Sequence, residues 1–244
     1  VLVVLHDITR MKQLEKMRTE FVARVSHELR TPITAIKGFA ETLMEGSVKE
    51  EETRQSFYTI IYKESDRLHR LINDLSDLSK IELNKDILKY STTNLKALIE
   101  STINTMIPQA EKKKIIMKQE LSSVIADVDE DRIKQVMINL LTNAIAYTPE
   151  NGQIFIRLQA LNQEQVKIEV EDTGIGIPEK NLPRIFERFY RVDKARSRES
   201  GGTGLGLAIV KHIVESHGGN IQVKSQVNAG TRFIIMLPKL KKNS

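Results

Sequence analysis

The sequence lacks cysteine, lacks an apolar run long enough to cross a bilayer, and lacks the two commonest glycine-rich nucleotide motifs. Without cysteine there are no disulfide bridges and no thiolate metal sites, which suits a reducing compartment. The apolar start, residues 1–5, is too short to span a membrane and has no signal-peptide layout. Because neither Gly-x4-Gly-Lys-Ser/Thr nor Gly-x-Gly-x-x-Gly occurs, P-loop and Rossmann sites are excluded.

Length and charge leave the broad class open. The chain of 244 residues is long enough for one large domain or two ordinary ones. Its net charge of +5 is a mild excess, because basic and acidic residues are interspersed along most of the sequence. We therefore expect no nucleic-acid partner and no membrane contact for this chain.

The first nine residues are similar to the end of a sensor domain. Residues 1–9 resemble the terminal strand and exit motif of PAS domains, which predicts a truncated PAS-like domain at the start of the chain. The chain would then be a fragment of a longer protein. A vector remnant or a disordered tail is the alternative.

Residues 10–82 have the apolar spacing of two long helices joined by a short turn. In the first helix, Phe21, Val25, Leu29 and Ile33 are predicted to lie on one apolar face at i+4 spacing. Pro32 interrupts this pattern and predicts a kink in that helix. The second helix carries a coiled-coil seam. Since a lone hairpin cannot cover apolar stripes this wide, we infer a homodimer through residues 10–82, packed as a four-helix bundle.

The pattern changes after residue 82. Residues 83–94 combine strand-like and turn-like residues and are predicted to be a linker, with a hinge at residues 83–90. Residues 95–240 mix helical segments with mainly antiparallel strands, which predicts an α+β sandwich with helices on one face. Residues 241–244 are predicted to be a solvated tail.

Two histidines lie at positions that call for an explanation. His27 lies off the apolar stripe of the first helix and is followed by the carboxylate of Glu28. It is consistent with a proton shuttle, a phosphate acceptor or an ordinary surface residue. His217 lies at a predicted helix C-terminus, where the helix dipole accounts for a cation.

Asn139 and Asn143 are four residues apart on one face of a predicted helix. Asparagine is a poor helix former, and buried amides must be hydrogen-bonded, so this face is expected to meet something polar. Amide oxygens suit a hard cation such as Mg²⁺. A pair of amides tied into the local core is the alternative.

Asp172 continues the inward side of a predicted strand, because period two places it with Val166, Ile168 and Val170. A carboxylate that points inward needs a partner, and an adenine amino group would supply one. The following Gly174 and Gly176 would let the backbone approach a flat ligand. A buried turn aspartate is the alternative.

Glycines also precede the last predicted helix, at residues 202–206, where backbone N–H groups form an anion site. The basic segment before them, residues 184–198, could close over a triphosphate or could be a solvated loop.

Five motifs, taken in this order, resemble one family: the cytoplasmic kinase core of two-component sensor histidine kinases. The resemblance covers residues 10–239. Its motifs are the phosphoacceptor box at 26–32, the N box at 139–149, the first glycine box at 172–176, the F box at 186–191 and the second glycine box at 202–206. It implies a dimerisation and phosphotransfer hairpin followed by a Bergerat-type (GHKL) ATPase domain, as in gyrase and MutL.

The resemblance further implies an ATP- and Mg²⁺-dependent protein histidine kinase. His27 would accept the γ-phosphoryl group, and Glu28 would take the proton from the other ring nitrogen. The phosphoryl group would pass to an aspartate of a response regulator, and Thr31 would position water for dephosphorylating that aspartate. The chain would be the cytoplasmic part of a protein anchored in a bacterial membrane.

The same resemblance assigns the nucleotide site. Asn143 would ligate Mg²⁺, with Asn139 in support. Tyr147 would lie against adenine, Asp172 would bind its amino group, and Arg191 would meet the γ-phosphate. The glycine boxes would supply the other nucleotide contacts through Gly174, Gly176, Thr203, Gly204, Leu205 and Gly206.

Ala146 departs from the family pattern, which usually has a lysine at this position that meets the nucleotide's phosphates. This departure motivates an alternative, a degenerate dimeric signalling scaffold with weak or no kinase activity. A second alternative is a GHKL serine kinase or ATPase without histidine phosphorylation, and the hairpin with His27 and Glu28 argues against it.

We predict that Ala146→Lys tightens ATP binding, because it restores a lysine–phosphate contact. Such a contact contributes about 1–3 kcal/mol, or roughly one to two orders of magnitude in affinity. Titration of both forms with nucleotide measures the difference. Equal dissociation constants would contradict the prediction.

Overall fold

A computed structural model describes residues 8–82, 88–193 and 202–240. The predicted PAS strand, most of the predicted hinge, the basic residues beyond 193 and the C-terminal tail lie outside these ranges. The chain divides into two compact units, one comprising residues 1–73 with 201–203 and the other residues 74–200 with 204–244.

Two long helices build the first unit: α1, Thr9–Met44, and α2, Glu51–Glu82, whose last residues belong to the second unit. Gly46, at φ +68°, ends the turn after α1 in a backbone conformation that glycine adopts without strain. Phe39 and Phe57 pack edge to face across that turn, with ring centroids 4.8 Å apart. The predicted hairpin is confirmed.

The apolar face of α1 differs from the predicted stripe near Pro32. The helix is continuous through Pro32, whose ring is buried, while Ile33 is 51% exposed. The reason is geometric, because each i+4 step turns by about 40° and three steps from Phe21 turn the face by about 120°. Phe21, Val25 and Leu29 are only partly covered within one chain.

The second unit is built on a mixed five-stranded sheet with the order β2-β4-β5-β7-β6. Its β2 and β4 are parallel, and every other neighbouring pair is antiparallel. The strands are β2 Ile116–Leu121, β4 Gln153–Ala160, β5 Gln165–Asp172, β6 Asn220–Gln226 and β7 Gly230–Pro238.

Three helices cover one face of this sheet, as the sequence predicted. They are α3 Leu95–Glu111, α4 Glu130–Tyr147 and α5 Gly206–Ser216, with a short 3₁₀ segment at Glu179–Arg184. Alternation along β4 and β5 places three apolar side chains of each strand inward, at 0–2% exposure. That inward layer comprises Ile154, Ile156, Leu158, Val166, Ile168 and Val170.

A separate two-stranded ribbon pairs β1, Ser91–Asn94, with β3, Ile125–Val128. Residues 91–94 were predicted to belong to the linker, but their pairing with β3 makes them part of the folded unit. These four residues are all small and polar, so no alternation of apolar residues predicts a strand here. Their pairing with β3 is what defines the strand.

Among the helices in the described parts of the chain, none combines the length and apolar character needed to cross a bilayer.

We predict that Ile156→Ala lowers the free energy of unfolding of the second unit by about 2–5 kcal/mol, because the side chain is fully buried. Ile116 lies on the neighbouring strand and is 53% exposed, so Ile116→Ala is the matched control, with an expected loss below about 1 kcal/mol. Urea denaturation followed by far-UV circular dichroism measures both. Equal losses would contradict the core assignment.

Candidate functional site

Three candidate side chains repeat every four residues along α4: Asn139, Asn143 and Tyr147. The Asn139 Nδ2 group donates to the Gly206 carbonyl, at 3.3 Å, which joins α4 to the start of α5. Asn143 is half-buried, and its amide has no hydrogen-bond partner among the described residues. A half-buried amide without a protein partner fits a polar ligand.

Asp172 ends β5 as a buried carboxylate with 7% exposure, which confirms its predicted inward direction. Its Oδ1 atom accepts the N–H groups of Gly174, at 2.8 Å, and Thr231, at 3.3 Å. Burial raises the pKa of the Asp172 carboxyl to about 6, although these two N–H groups lower it. No donor among the described residues reaches Oδ2, so this oxygen is available to a ligand.

The first glycine box is held against protein backbone. A Cβ on Gly174 would lie 2.6 Å from both Asp172 Oδ1 and the Tyr147 carbonyl oxygen. Gly176 has φ +68°, and a Cβ there would lie 2.0 Å from the Gln226 carbonyl oxygen. From the sequence, these glycines were expected to let a ligand approach the backbone closely. In the structure their tight contacts are with the end of α4 and with β6.

Two site residues were missed by the sequence analysis. Thr231 donates its N–H to Asp172, and its hydroxyl lies 2.9 Å from the Ser225 hydroxyl. Gly230 has φ +107°, and a Cβ there would lie 1.8 Å from the Asp172 carbonyl oxygen. Both positions follow from the register that pairs Asp172 with Thr231, which a separation along the chain does not reveal.

The F box packs on the second glycine box. The Phe189 N–H donates to the Gly204 carbonyl at 2.8 Å, and both residues have positive φ, +61° and +75°. Arg191 is half-buried, with its Cγ atom 3.4 Å from the position of a Gly204 Cβ. Leu205 is completely buried in the core, so only its backbone can contact a ligand. Thr203 is partly buried.

The second unit therefore brings four predicted motifs together. Asn139 links the N box to the second glycine box, Gly174 packs on Tyr147, and Phe189 links the F box to Gly204. These contacts bring together the elements that carry the buried Asp172 carboxylate and the half-buried amides of Asn139 and Asn143. Among the described residues no cluster of three acidic or histidine side chains could hold a metal ion alone.

The first unit holds the other candidates on α1. His27 is exposed, and the Thr31 hydroxyl donates to the His27 carbonyl at 3.2 Å. Pro32 has no N–H, so the Glu28 carbonyl lacks its usual helical donor at this point. The backbone of the phosphoacceptor box is thus held partly by a side-chain hydroxyl.

Arg67, on α2, was not predicted and is 5% exposed. Its Nη2 lies 2.8 Å from Glu28 Oε2, and its Nη1 lies 3.5 Å from Glu64 Oε2. A guanidinium this deeply buried needs such partners, because an isolated buried charge is strongly unfavourable. The sequence feature that could have predicted this ion pair is an arginine placed among the apolar residues of the α2 seam. Arg67 fixes the carboxylate that is adjacent to His27.

Two families match the chain in sequence. Residues 17–84 match the family described as His Kinase A (phospho-acceptor) domain. Residues 128–241 match the family described as histidine kinase-, DNA gyrase B-, and HSP90-like ATPase. The two matches contain the two groups of candidate residues described above.

Individual relatives agree. The sensor protein kinase WalK of Staphylococcus epidermidis is 40% identical over 237 residues, which are 96% of this chain and 39% of that protein. The solved catalytic domain of histidine kinase ThkA is 34% identical, with a TM-score of 0.57 over 63% of this chain and 98% of that one. ThkA in complex with the response regulator protein TrrA is 30% identical, with a TM-score of 0.78 over 98% of this chain and 66% of that one.

This chain thus spans about two fifths of the length of the WalK relative that it matches. Its hairpin carries an exposed histidine beside a fixed carboxylate, and its α/β unit carries a buried aspartate at the glycine boxes. Sequence, fold and site agree, and the chain belongs to the sensor histidine kinases, of which it contains the kinase core.

Proposed function

We propose that the chain is an ATP-dependent protein histidine kinase that phosphorylates itself on His27 and passes the phosphoryl group to an aspartate of a response regulator. The observation that carries the proposal is the Asp172 carboxylate, which is buried, has one oxygen available and is adjacent to both the N box and the first glycine box. An adenine amino group is the donor that such an oxygen accepts.

The residues of the second unit fit a nucleotide. Asp172 Oδ2 would accept from the adenine amino group, and Tyr147 would lie against the base. The backbone N–H groups at the start of α5, from Gly204 to Gly206, would bind phosphate oxygens, because a helix N-terminus carries partial positive charge. Arg191 would meet the terminal phosphates.

A single protein ligand is enough for the metal in this scheme. The Asn143 amide would hold Mg²⁺, which in nucleotide sites keeps several water and phosphate ligands. The ion, when bound, neutralises charge on the triphosphate. Asn139, which donates to Gly206, would hold the α4 face and the second glycine box in register around it.

The reaction at His27 is a displacement at the γ-phosphorus of ATP. A ring nitrogen of neutral His27 forms the nitrogen–phosphorus bond, the bond to the bridging oxygen breaks, and ADP leaves. The proton on the other ring nitrogen passes to the Glu28 carboxylate, which Arg67 holds at 2.8 Å. Catalysis is mainly positioning and charge neutralisation, as in other phosphoryl transfers.

Two further parts of the proposal concern partners. The partly covered apolar residues of α1 support a homodimer through residues 10–82, because a second hairpin would cover them. Thr31 would position water for dephosphorylating the regulator, and the ThkA–TrrA complex supports a regulator as partner. A membrane anchor for the longer protein rests on the family resemblance alone.

Ala146 favours the alternative of a scaffold with weak kinase activity. Lys113, the nearest described lysine, caps α4 by donating to the carbonyls of Ile145, Ala146 and Thr148 at 2.8, 2.9 and 3.3 Å. Its ammonium group is therefore engaged with backbone and does not replace the missing lysine at the phosphates. The labelling experiment below separates the two functions.

We expect the wild-type chain, incubated with γ-labelled ATP and Mg²⁺, to acquire a label that is labile in acid and stable in alkali, as phosphohistidine is. His27→Gln should abolish the label. His69, an exposed histidine on α2 that contacts Asn73, provides the control variant His69→Gln, which should retain it. An unlabelled wild type would support the scaffold, and label that survives His27→Gln would support another acceptor.

We also predict that Asp172→Asn abolishes ATP binding yet stabilises the nucleotide-free protein at pH 7. Because the folded-state pKa is raised from 3.8 to about 6, the aspartate stabilises the fold fully only below pH 3.8, and this contribution is lost as pH rises through 6. The difference between the two pKa values lowers the free energy of unfolding by roughly 3 kcal/mol at neutral pH, relative to the value below pH 3.8.

Thermal unfolding at pH 5 and pH 7.5, with and without ATP, measures this effect. The melting temperature of Asp172→Asn should exceed that of wild type more at pH 7.5 than at pH 5, and ATP should raise only that of wild type. A destabilised variant, or one that ATP still stabilises, would be inconsistent with the assigned role.

A further inference from the structure

The buried histidine of the second unit lies at the C-terminal end of α5, the end opposite to Gly206. His217 follows α5 and is 3% exposed, so the sequence-based explanation of a cation at a helix end is wrong. Its Nε2 atom accepts the Asp129 N–H at 3.1 Å, and its Nδ1 lies 2.7 Å from the Ile213 carbonyl oxygen.

These two contacts fix the state of the ring. A backbone N–H can only donate, so Nε2 must be unprotonated, and a carbonyl can only accept, so Nδ1 carries the hydrogen. The ring is therefore neutral, and burial lowers the pKa of His217 in agreement with this arrangement. Protonation would place a hydrogen on Nε2 against the Asp129 N–H.

Asp129 ties three segments together. Its Oδ1 accepts the Arg132 N–H and caps α4, while its Oδ2 accepts the Lys89 N–H at 2.8 Å. The Tyr90 ring packs on the His217 ring, with centroids 5.5 Å apart, and the Tyr90 hydroxyl lies 3.4 Å from the Ser216 carbonyl oxygen. The segment at residues 88–90 is thereby attached to the start of α4 and the end of α5.

The start of α5 contacts the middle of α4 at the candidate nucleotide site. Asn139 of α4 donates to Gly206, the first residue of α5. The start of α4 thus lies at the end of α5 and the middle of α4 at the start of α5, so the two helices run antiparallel over about 15 Å, for ten residues at 1.5 Å per residue. The contacts form a continuous network of hydrogen bonds and packed side chains from residues 88–90 to the second glycine box, and networks of this kind carry coupling between sites.

We propose that His217 and Asp129 are positioning residues for phosphoryl transfer, which hold residues 88–90 in a fixed relation to the nucleotide-binding helices. The proposal rests on the proposed function, in which the unit that binds ATP must deliver it to His27 on the other unit. Residues 88–90 are the described end of the predicted hinge, so their attachment connects the hinge to α4 and α5.

The experiment separates ATP affinity from the rate of transfer. In the whole chain, His217→Leu fills the buried position with an apolar side chain and removes the acceptor for the Asp129 N–H. We expect the rate of His27 labelling at saturating ATP and Mg²⁺ to fall about tenfold, since small misplacements of reacting groups have effects of this order or larger. The ATP dissociation constant should change less than about threefold, because the nucleotide contacts are not altered.

A second pair of variants tests the backbone contact directly. Lys89→Pro removes the N–H that Asp129 accepts, while Lys89→Ala keeps it and serves as the matched control. We expect the proline variant to reproduce the slow labelling of His217→Leu and the alanine variant to label at the wild-type rate. His217→Gln, whose side-chain oxygen can accept in place of Nε2, should recover part of the rate.

The number of active sites in each preparation is measured by stoichiometric nucleotide titration, and rates are expressed per active site. A role limited to stability would lower the melting temperature while leaving the rate per active site unchanged, and that result would overturn the proposal. Equal rates for Lys89→Pro and Lys89→Ala would also overturn it. Absence of label in wild type would instead reject the proposed function.

Discussion

A single buried carboxylate constrains the architecture of the second unit. Asp172 is out of water at the end of β5, so its charge must be met by donors in fixed positions. Two backbone N–H groups meet Oδ1, one from the first glycine box and one from the start of β7. Both donors require glycine nearby, since a side chain on Gly174 or Gly230 would collide with Asp172 itself. Burial thus makes the charged form of this carboxylate unfavourable in the fold, and its Oδ2 atom meets no donor among the described residues.

Much of this organisation could be predicted from the sequence because it depends on local periodicity. Strand alternation predicted that Asp172 faces inward, and helical spacing predicted that Asn139 and Asn143 share a face. The hairpin, the sheet covered on one face and most helix bounds follow from the same two periods. Local patterns were sufficient for these features, whereas the i+4 stripe of α1 was wrong at Ile33, where the helical face had already turned.

The residues that were missed depend on pairing between distant segments. Thr231 becomes part of the site only through the register of β7 on β5, and Arg67 contacts Glu28 across the hairpin. His217 was assigned to a helix dipole because its partner, Asp129, is 88 residues away along the chain. In each case the role of the residue depends on a polar contact with a residue far away in the sequence, and no local pattern connects the two.

The parallel pairing of β2 with β4 has a consequence for how the chain folds. Two parallel strands cannot be joined by a tight turn, and here β3 and α4 lie between β2 and β4 in the sequence. These two strands therefore pair only after the long intervening segment has been ordered. The hairpin of the first unit, by contrast, forms from contacts that are close along the chain. Non-local pairing slows folding, whereas contacts that are close along the chain speed it. During synthesis from the N-terminus, the α1–α2 hairpin can therefore be complete before the strands of the second unit have paired.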